Sequence, residues 1–154
     1  MGIASSVVGR LNNAWKQPCL SLQTKLRIYT SCVQSTLLHG ADKWTILKAD
    51  GKWLLAFHMQ CQRRILRIRW SDFVTNATVA EKTGLPNIRA VIGDRRLALF
   101  GHVRRLPKGT PAHHALQASV ELSSGTNNIT WRRKPGRPRN SLLRGVLKDI
   151  QLIA

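Results

Sequence analysis

Apolar residues recur at helical spacing over most of the chain, and this periodicity is the feature that most limits the fold. Three long segments carry it, covering residues 22–38, 50–68 and 88–106. In each of them, large apolar side chains fall at the spacing that lines one face of an α-helix, not at the alternation of a strand. The pattern predicts an all-α protein, a small bundle of about five to seven helices.

Capping and breaking residues place the predicted helix ends. Gly40 ends the first segment, and Asp50 is a candidate N-cap of the second. Thr75 and the asparagine after it can cap a short helix that runs to residue 82, and Gly84 stops that helix. Asn87 can then cap the long helix, which ends before Pro107.

The C-terminal part changes in composition. A short helix is predicted over residues 112–120, followed by the polar run SSGTNN and the basic run WRRKPGRPRN. The chain is therefore divided into a helical domain (1–122), an extended basic Pro/Gly/Arg-rich linker or arm (123–140) and a C-terminal helix (141–154). The prolines hold the GRP core of the arm extended. That shape fits a phosphate backbone or a narrow minor groove, and a flexible basic linker is the alternative.

The charge balance predicts a polyanionic partner. The chain has 25 Lys and Arg residues against 7 Asp and Glu, a formal net charge of +18 and a sequence pI near 11.6. Arginine outnumbers lysine, and its guanidinium suits phosphate oxygens and base edges, which favours RNA and DNA over an anionic membrane surface. No apolar run approaches the roughly 20 residues that span a bilayer, and the N-terminus lacks the apolar core of a secretory signal. An intracellular protein, nuclear or cytoplasmic and without a membrane partner, is expected.

Basic residues grouped in three places are the predicted nucleic-acid-binding residues. They lie at the end of the second helix, along the long helix and in the arm: Arg63, Arg64, Arg67 and Arg69; Arg95, Arg96, Arg104 and Arg105; Arg132, Arg133, Lys134, Arg137 and Arg139. A solvated basic face, stabilised by the helix C-terminal dipole, is the alternative interpretation of the first group. Trp70 closes that group and could pack or stack on a base. For a single tryptophan, packing is the expected role.

The sequence predicts no enzyme, no cofactor and no metal site. Its acidic residues are scattered singly, so no pair of neighbours could hold magnesium for nucleotidyl transfer. The phosphate-binding and hydrolase motifs GxxxxGK[ST], GxSxG and HExxH do not occur. Cys19, Cys32 and Cys61 are far apart and are predicted to be reduced thiols, and the adjacent His113 and His114 are predicted to be surface residues.

Two further histidines fall on or near apolar stripes. His58 is predicted to be a hydrogen-bonded core residue of the second helix. His102 is predicted to be a core residue of the long helix, where Gly101 would let another helix approach closely. Substitution of either residue of this Gly-His pair is then expected to destabilise the fold.

Two stretches in the first half carry a family resemblance. KLRIY at 25–29 with LLHGADKW at 37–44 resembles the "K..ly...v...LLYGcEtW" stretch of non-LTR (LINE-type) retrotransposon reverse transcriptases. The departures are histidine for tyrosine, aspartate for glutamate and lysine for threonine at positions 39, 42 and 43. LAFHMQCQRRILRI at 55–68 is similar to the family's "leaFemrclRrIlgi" helix.

The resemblance continues in the second half, so it extends over nearly all of the chain. RRLALFGHVRR at 95–105 resembles the family's "RRlrwlGHvlRm". Trp131 with GRPR at 136–139 is similar to "W....GRPr..W", although Leu142 stands where the second tryptophan is usual. The four stretches follow one another in the family's order.

The resemblance implies a truncated fragment from the region C-terminal to the polymerase core, the thumb and the helices after it. In that family this region contacts template and primer, while the paired metal-binding aspartates of the palm lie upstream. The palm, the endonuclease and the zinc knuckle are all missing from this chain. The chain is thus expected to be a non-catalytic, sequence-independent nucleic-acid-binding part of an RNA-directed DNA polymerase encoded by a transposable element.

Two other functions stay open. Residues 75–106 could form a helix-turn-helix of a sequence-specific DNA-binding regulator, although core packing with an incidental turn is the preferred interpretation of that segment. Alternatively, the chain is a degenerate transposon remnant without function, because decay leaves charge and periodicity largely intact.

Overall fold

Residues 2–124 and 142–151 are described by the structure, a computed structural model. Every regular element in these two ranges is helical, and they contain no strand, which confirms the all-α prediction. The chain divides into two compact units: unit 1 consists of Met1–Gly40 and Lys48–Val91, and unit 2 consists of Ala41–Leu47 and Ile92–Ala154.

Unit 1 is built from short N-terminal helices and one long helix. Its α-helices are α1 (Gly2–Arg10), α2 (Asn12–Lys16), α3 (Leu22–Ile28), α4 (Ser35–Leu37), α5 (Lys48–Leu66) and α6 (Asn76–Thr83). A π-helical stretch, Tyr29–Gln34, joins α3 to α4, so the helix predicted over 22–38 is continuous. The π turn adds one residue to the helical repeat at this point.

Most predicted helix ends are confirmed. Gly40 has a left-handed backbone with φ of +67°, as does Gly84 with φ of +63°, and each follows the end of a helix. Thr75 caps α6, because its side chain accepts a hydrogen bond of 3.2 Å from the backbone N–H of Thr78. The α5 helix begins two residues earlier than predicted, at Lys48, so Asp50 lies in its first turn instead of capping it.

Helices α1 and α2 were not predicted from the sequence. A signal for them is present, since Ala4, Val8, Leu11 and Trp15 stand at the spacing of one helical face. Ala4, Val8 and Trp15 are buried. The two helices are separated at residue 11 alone.

The core of unit 1 joins α1, α2, the π-helical stretch and α5. Its buried members are Val8, Trp15, Tyr29, Val33, Cys61 and Ile65. On α5 these side chains recur at helical spacing, which confirms the apolar stripe predicted for that helix. Because the apolar face of α5 is buried in this core, the opposite, basic face of the helix is turned away from the core.

Lys25 is buried, with 7% of its surface exposed, although the sequence places it outside the apolar stripe of its helix. Its Nζ donates a hydrogen bond of 3.0 Å to the carbonyl oxygen of Trp15, in the last turn of α2. A lysine can bury its aliphatic chain when its ammonium group satisfies a helix-terminal carbonyl. Lys25 is therefore a structural residue.

Unit 2 is organised around α7. This helix, Ile88–Arg105, begins in unit 1 and enters unit 2 at Ile92; the other helices are a 3₁₀ turn (Ala41–Lys43), α8 (Pro111–Ser124) and α9 (Leu142–Gln151). The α8 helix is longer than the predicted 112–120. Residues 125–141, most of the predicted linker, lie outside the described residues, so the predicted division of the chain at 122 and 140 stays a prediction.

No helix in the part of the chain that the structure describes has the length and apolar character needed to cross a membrane.

Candidate nucleic-acid interface

The basic end of α5 is shaped by an arginine in a left-handed backbone conformation. Arg67 follows the last helical residue with φ of +57°. The N–H of Ile68 donates to the carbonyl of Arg63 at 2.9 Å, and the N–H of Arg67 donates to the carbonyl of Arg64 at 3.3 Å. This pair of bonds is the Schellman ending, in which glycine usually occupies the left-handed position. The chain therefore turns sharply immediately after the arginine-rich end of the helix.

A 3₁₀ turn, Trp70–Asp72, follows. The Asp72 carboxylate accepts a hydrogen bond of 2.7 Å from the backbone N–H of Arg69, and Phe73 closes the turn with a left-handed backbone at φ of +47°. The prediction that Trp70 packs in the core is wrong, because 89% of its surface is exposed. Phe73 is 87% exposed. The physical reason is the turn, which directs the chain away from the core before either ring could reach it.

Arg63 ties this turn back to α5. The side chain is half-buried, and its Nη2 donates to the Val74 carbonyl at 2.7 Å and to Asn76 Oδ1 at 2.8 Å. The guanidinium group thus holds the segment between α5 and α6 against the helix. Of the four arginines predicted at this end of α5, Arg63 positions the surface, while Arg64, Arg67 and Arg69 are exposed.

Two surface grooves flank Arg64. The first, which we call the Trp70 groove, has a volume of about 680 Å³ and is lined by Ser5, Val8, Phe57, Gln60, Cys61, Arg63, Arg64, Ile68, Trp70 and Val74. The second, which we call the Lys16 groove, has a volume of about 650 Å³ and is lined by Asn12, Trp15, Lys16, Arg64 and Arg67. Arg67 also donates a hydrogen bond from its Nη2 to the carbonyl oxygen of Lys16. Cations therefore line both grooves, and Arg64 is common to the two.

The charges of these arginines are not neutralised locally. Within the described residues, no carboxylate forms an ion pair with Arg64, Arg67 or Arg69. Asp72 is the nearest acidic residue in sequence; its carboxylate accepts a hydrogen bond from the backbone N–H of Arg69 and forms no ion pair with an arginine side chain of the described residues. The negative end of the α5 dipole compensates part of this repulsion. The grooves therefore keep an excess of positive charge.

In unit 2, Arg96 has a structural role, although it was one of the predicted binding residues. Its Nη2 lies 3.0 Å from Asp149 Oδ1 and 2.9 Å from Asp149 Oδ2, and both side chains are almost buried. Gly145 gives the guanidinium group room, because a Cβ built there would lie 2.8 Å from Arg96 Nη1. This pair fastens α9 to α7, which leaves the guanidinium group little capacity to bind phosphate.

The other predicted binding residues divide between exposed positions and residues that are not described. Arg95, Arg104 and Arg105 are exposed on α7. The arm residues lie outside the described part of the chain: Arg132, Arg133, Lys134, Arg137 and Arg139. Binding by all of these arginines stays a prediction.

The Gly-His pair of α7 is not in the core. His102 is exposed, and a Cβ added at Gly101 would meet only the Arg105 side chain of the same helix, at 3.5 Å. The predictions that His102 is buried and that another helix packs against Gly101 are therefore wrong. The apolar face of α7 is wide, and spacing alone placed His102 too close to its centre.

His58 is the core histidine that the sequence predicts. It is fully buried, and its Nδ1 shares a hydrogen bond of 2.7 Å with the Tyr29 hydroxyl. Burial lowers the pKa of His58, and the Pro86 carbonyl opposes part of that shift. Burial also raises the pKa of Cys61 to about 11, which the Arg64 charge partly opposes, so the thiol remains protonated at neutral pH. Tyr29, His58 and Cys61 therefore belong to the buried part of unit 1.

In residues 2–124 and 142–151, no three His, Cys, Asp or Glu side chains come together in a way that could hold a metal ion. His114 is exposed as predicted, whereas His113 is half-buried. What the described residues offer is therefore a basic surface that contains an exposed aromatic ring.

No protein-family model, no curated protein and no solved structure matches the chain.

Proposed function

We propose that this chain is a non-catalytic nucleic-acid-binding fragment of a non-LTR retrotransposon reverse transcriptase, from the thumb side of the polymerase. It binds RNA and DNA through their phosphates without sequence preference, and it acts inside the cell, where template and primer occur. The observation that carries the proposal is the exposed arginine surface at the end of α5, comprising Arg64, Arg67 and Arg69, which is not neutralised by carboxylates in the described residues. The resemblance of residues 25–44, 55–68 and 95–105 to that family supports the parentage.

Phosphate binding by this surface predicts a specific salt dependence. Each phosphate contact that is removed lowers the slope of log affinity against log salt concentration by about 1. The Arg64→Ala/Arg69→Ala variant should therefore lower the slope by about 2 and weaken the binding of unrelated duplexes equally. The matched control is Arg27→Ala/Lys82→Ala, which removes the same charge from exposed positions outside both grooves.

Fluorescence anisotropy titrations at several salt concentrations measure both quantities. An unchanged slope in the Arg64→Ala/Arg69→Ala variant, with an equal loss in the control, would show that net charge and not this surface binds the phosphates. A preference of about a thousandfold for one duplex sequence would instead support the sequence-specific helix-turn-helix regulator.

The proposal also predicts the absence of chemistry in the isolated chain. Primer extension on an RNA template and nuclease assays, each with magnesium or manganese, should give no product, because the chain has no neighbouring pair of carboxylates in its sequence. Extension that persists after repurification would contradict the proposal.

A further inference from the structure

Trp70 is unusually exposed for its size and chemistry. Of the Trp70 surface, 89% is in contact with solvent, compared with 66% for Trp53, the other exposed tryptophan among the described residues. Tryptophan is normally buried or placed at an interface, because exposing its large apolar ring to water is energetically unfavourable. Nothing in phosphate binding by arginine requires this ring.

The turn that carries Trp70 is held in place. Asp72 binds the backbone of Arg69 at its start, and the Arg63 guanidinium binds the Val74 carbonyl just after its end. Two residues of this segment, Arg67 and Phe73, have left-handed backbones, which cost a non-glycine residue about 1–2 kcal/mol. The backbone that carries the ring is thus anchored on both sides, so a ligand that meets the ring requires little rearrangement of the backbone.

The surroundings of Trp70 indicate an anionic ligand with flat, apolar parts. The ring lines the same groove as Arg64, and Phe57 contributes a second aromatic side chain to it. Within the described residues, no carboxylate forms an ion pair with Arg64. A stacking ring beside unpaired cations is the combination by which proteins hold single-stranded nucleic acid.

We infer that Trp70 stacks on an unpaired base of a single strand. The phosphates of that strand are bound by the exposed arginines at the end of α5: Arg64, Arg67 and Arg69. Bases inside a duplex already stack on their neighbours, so only an unpaired base gains from this ring. The inference rests on the proposed function and adds a preference for single-stranded over duplex nucleic acid.

Removing the ring should weaken single-strand binding selectively. In the full chain, Trp70→Ala is expected to lower affinity for a labelled oligothymidylate or oligouridylate about tenfold or more, while affinity for a blunt duplex changes less than about twofold. Trp70→Phe should retain most of the affinity, and Trp70→Leu should not, because leucine keeps apolar volume but has no π-face. Trp53→Ala is the matched control, since it removes the same side chain from an exposed position on α5 outside the groove. Circular dichroism verifies that each variant is folded.

The outcomes separate the inference from the function on which it rests. If Arg64→Ala weakens both ligands but Trp70→Ala weakens neither, or weakens both equally, stacking is overturned and phosphate binding stands. If the wild-type chain binds neither ligand at low salt, the proposed function fails and the inference fails with it. Binding of phosphatidylserine vesicles that requires Trp70, with oligonucleotide affinity unchanged by Trp70→Ala, would assign the ring to a membrane surface and would also overturn stacking.

Discussion

Replacing Phe73 by glycine tests whether the turn beside the candidate interface is strained. Phe73 has a left-handed backbone with φ of +47°, and its side chain is 87% exposed. A side chain with a Cβ pays about 1–2 kcal/mol for this conformation. Glycine avoids that cost but loses about 0.5–1 kcal/mol through the greater freedom of the unfolded chain. Because the exposed ring contributes little burial, Phe73→Gly is expected to raise the free energy of unfolding by about 0.5–1 kcal/mol.

Two control variants isolate the backbone contribution. Phe73→Ala removes the ring but keeps the Cβ, so its free energy of unfolding should stay within about 0.5 kcal/mol of the wild type. Ala56→Gly, at an exposed position in the middle of α5, should lose about 0.5–1 kcal/mol, as glycine does in an ordinary helix.

Urea denaturation followed by circular dichroism measures these differences, provided that the slope against urea is the same for all variants. A Phe73→Gly variant that is less stable than Phe73→Ala, by the amount that Ala56→Gly loses, would contradict this expectation. Residue 73 would then have an ordinary backbone conformation, and the turn would not be held as described.

Three further expectations concern the buried histidine and the Gly-His pair. Tyr29→Phe should destabilise the fold by about 1–3 kcal/mol in urea denaturation, because it leaves the buried His58 Nδ1 without its hydroxyl partner. Burial holds the pKa of His58 below the usual 6.5, so the unfolded chain takes up a proton that the folded chain does not. The free energy of unfolding should therefore fall as the pH drops below 6.5, and a value that stays constant between about pH 7 and pH 5.5 would contradict this linkage. In thermal melts, His102→Ala should be neutral and Gly101→Ala should stabilise α7 by up to about 1 kcal/mol; a clear loss in either variant would restore the core role predicted from sequence.

Local signals in the sequence determined several of the helices and part of the core. Apolar spacing and a capping residue predicted α6 and α7 within about a residue at each end, because both signals act within one or two helical turns. Spacing also placed His58 in the core correctly. The excess of basic residues, and with it the expectation of a polyanionic partner, follows from composition and needs no fold.

Only the tertiary structure decided which side chains of similar chemistry are free and which are used in folding. Lys25 and Arg96 carry the same positive charge as Arg64, yet Lys25 satisfies the Trp15 carbonyl and Arg96 pairs with Asp149, more than fifty residues away. Trp70 looks like a core residue but is held in solvent by a turn that Arg63 ties back to α5 through the Val74 carbonyl and Asn76, which are 11 and 13 residues further along the chain. The apolar pattern of a helix gives the direction in which each side chain points around the helix axis. What that side chain meets depends on chain segments distant in sequence, whose positions no local pattern contains.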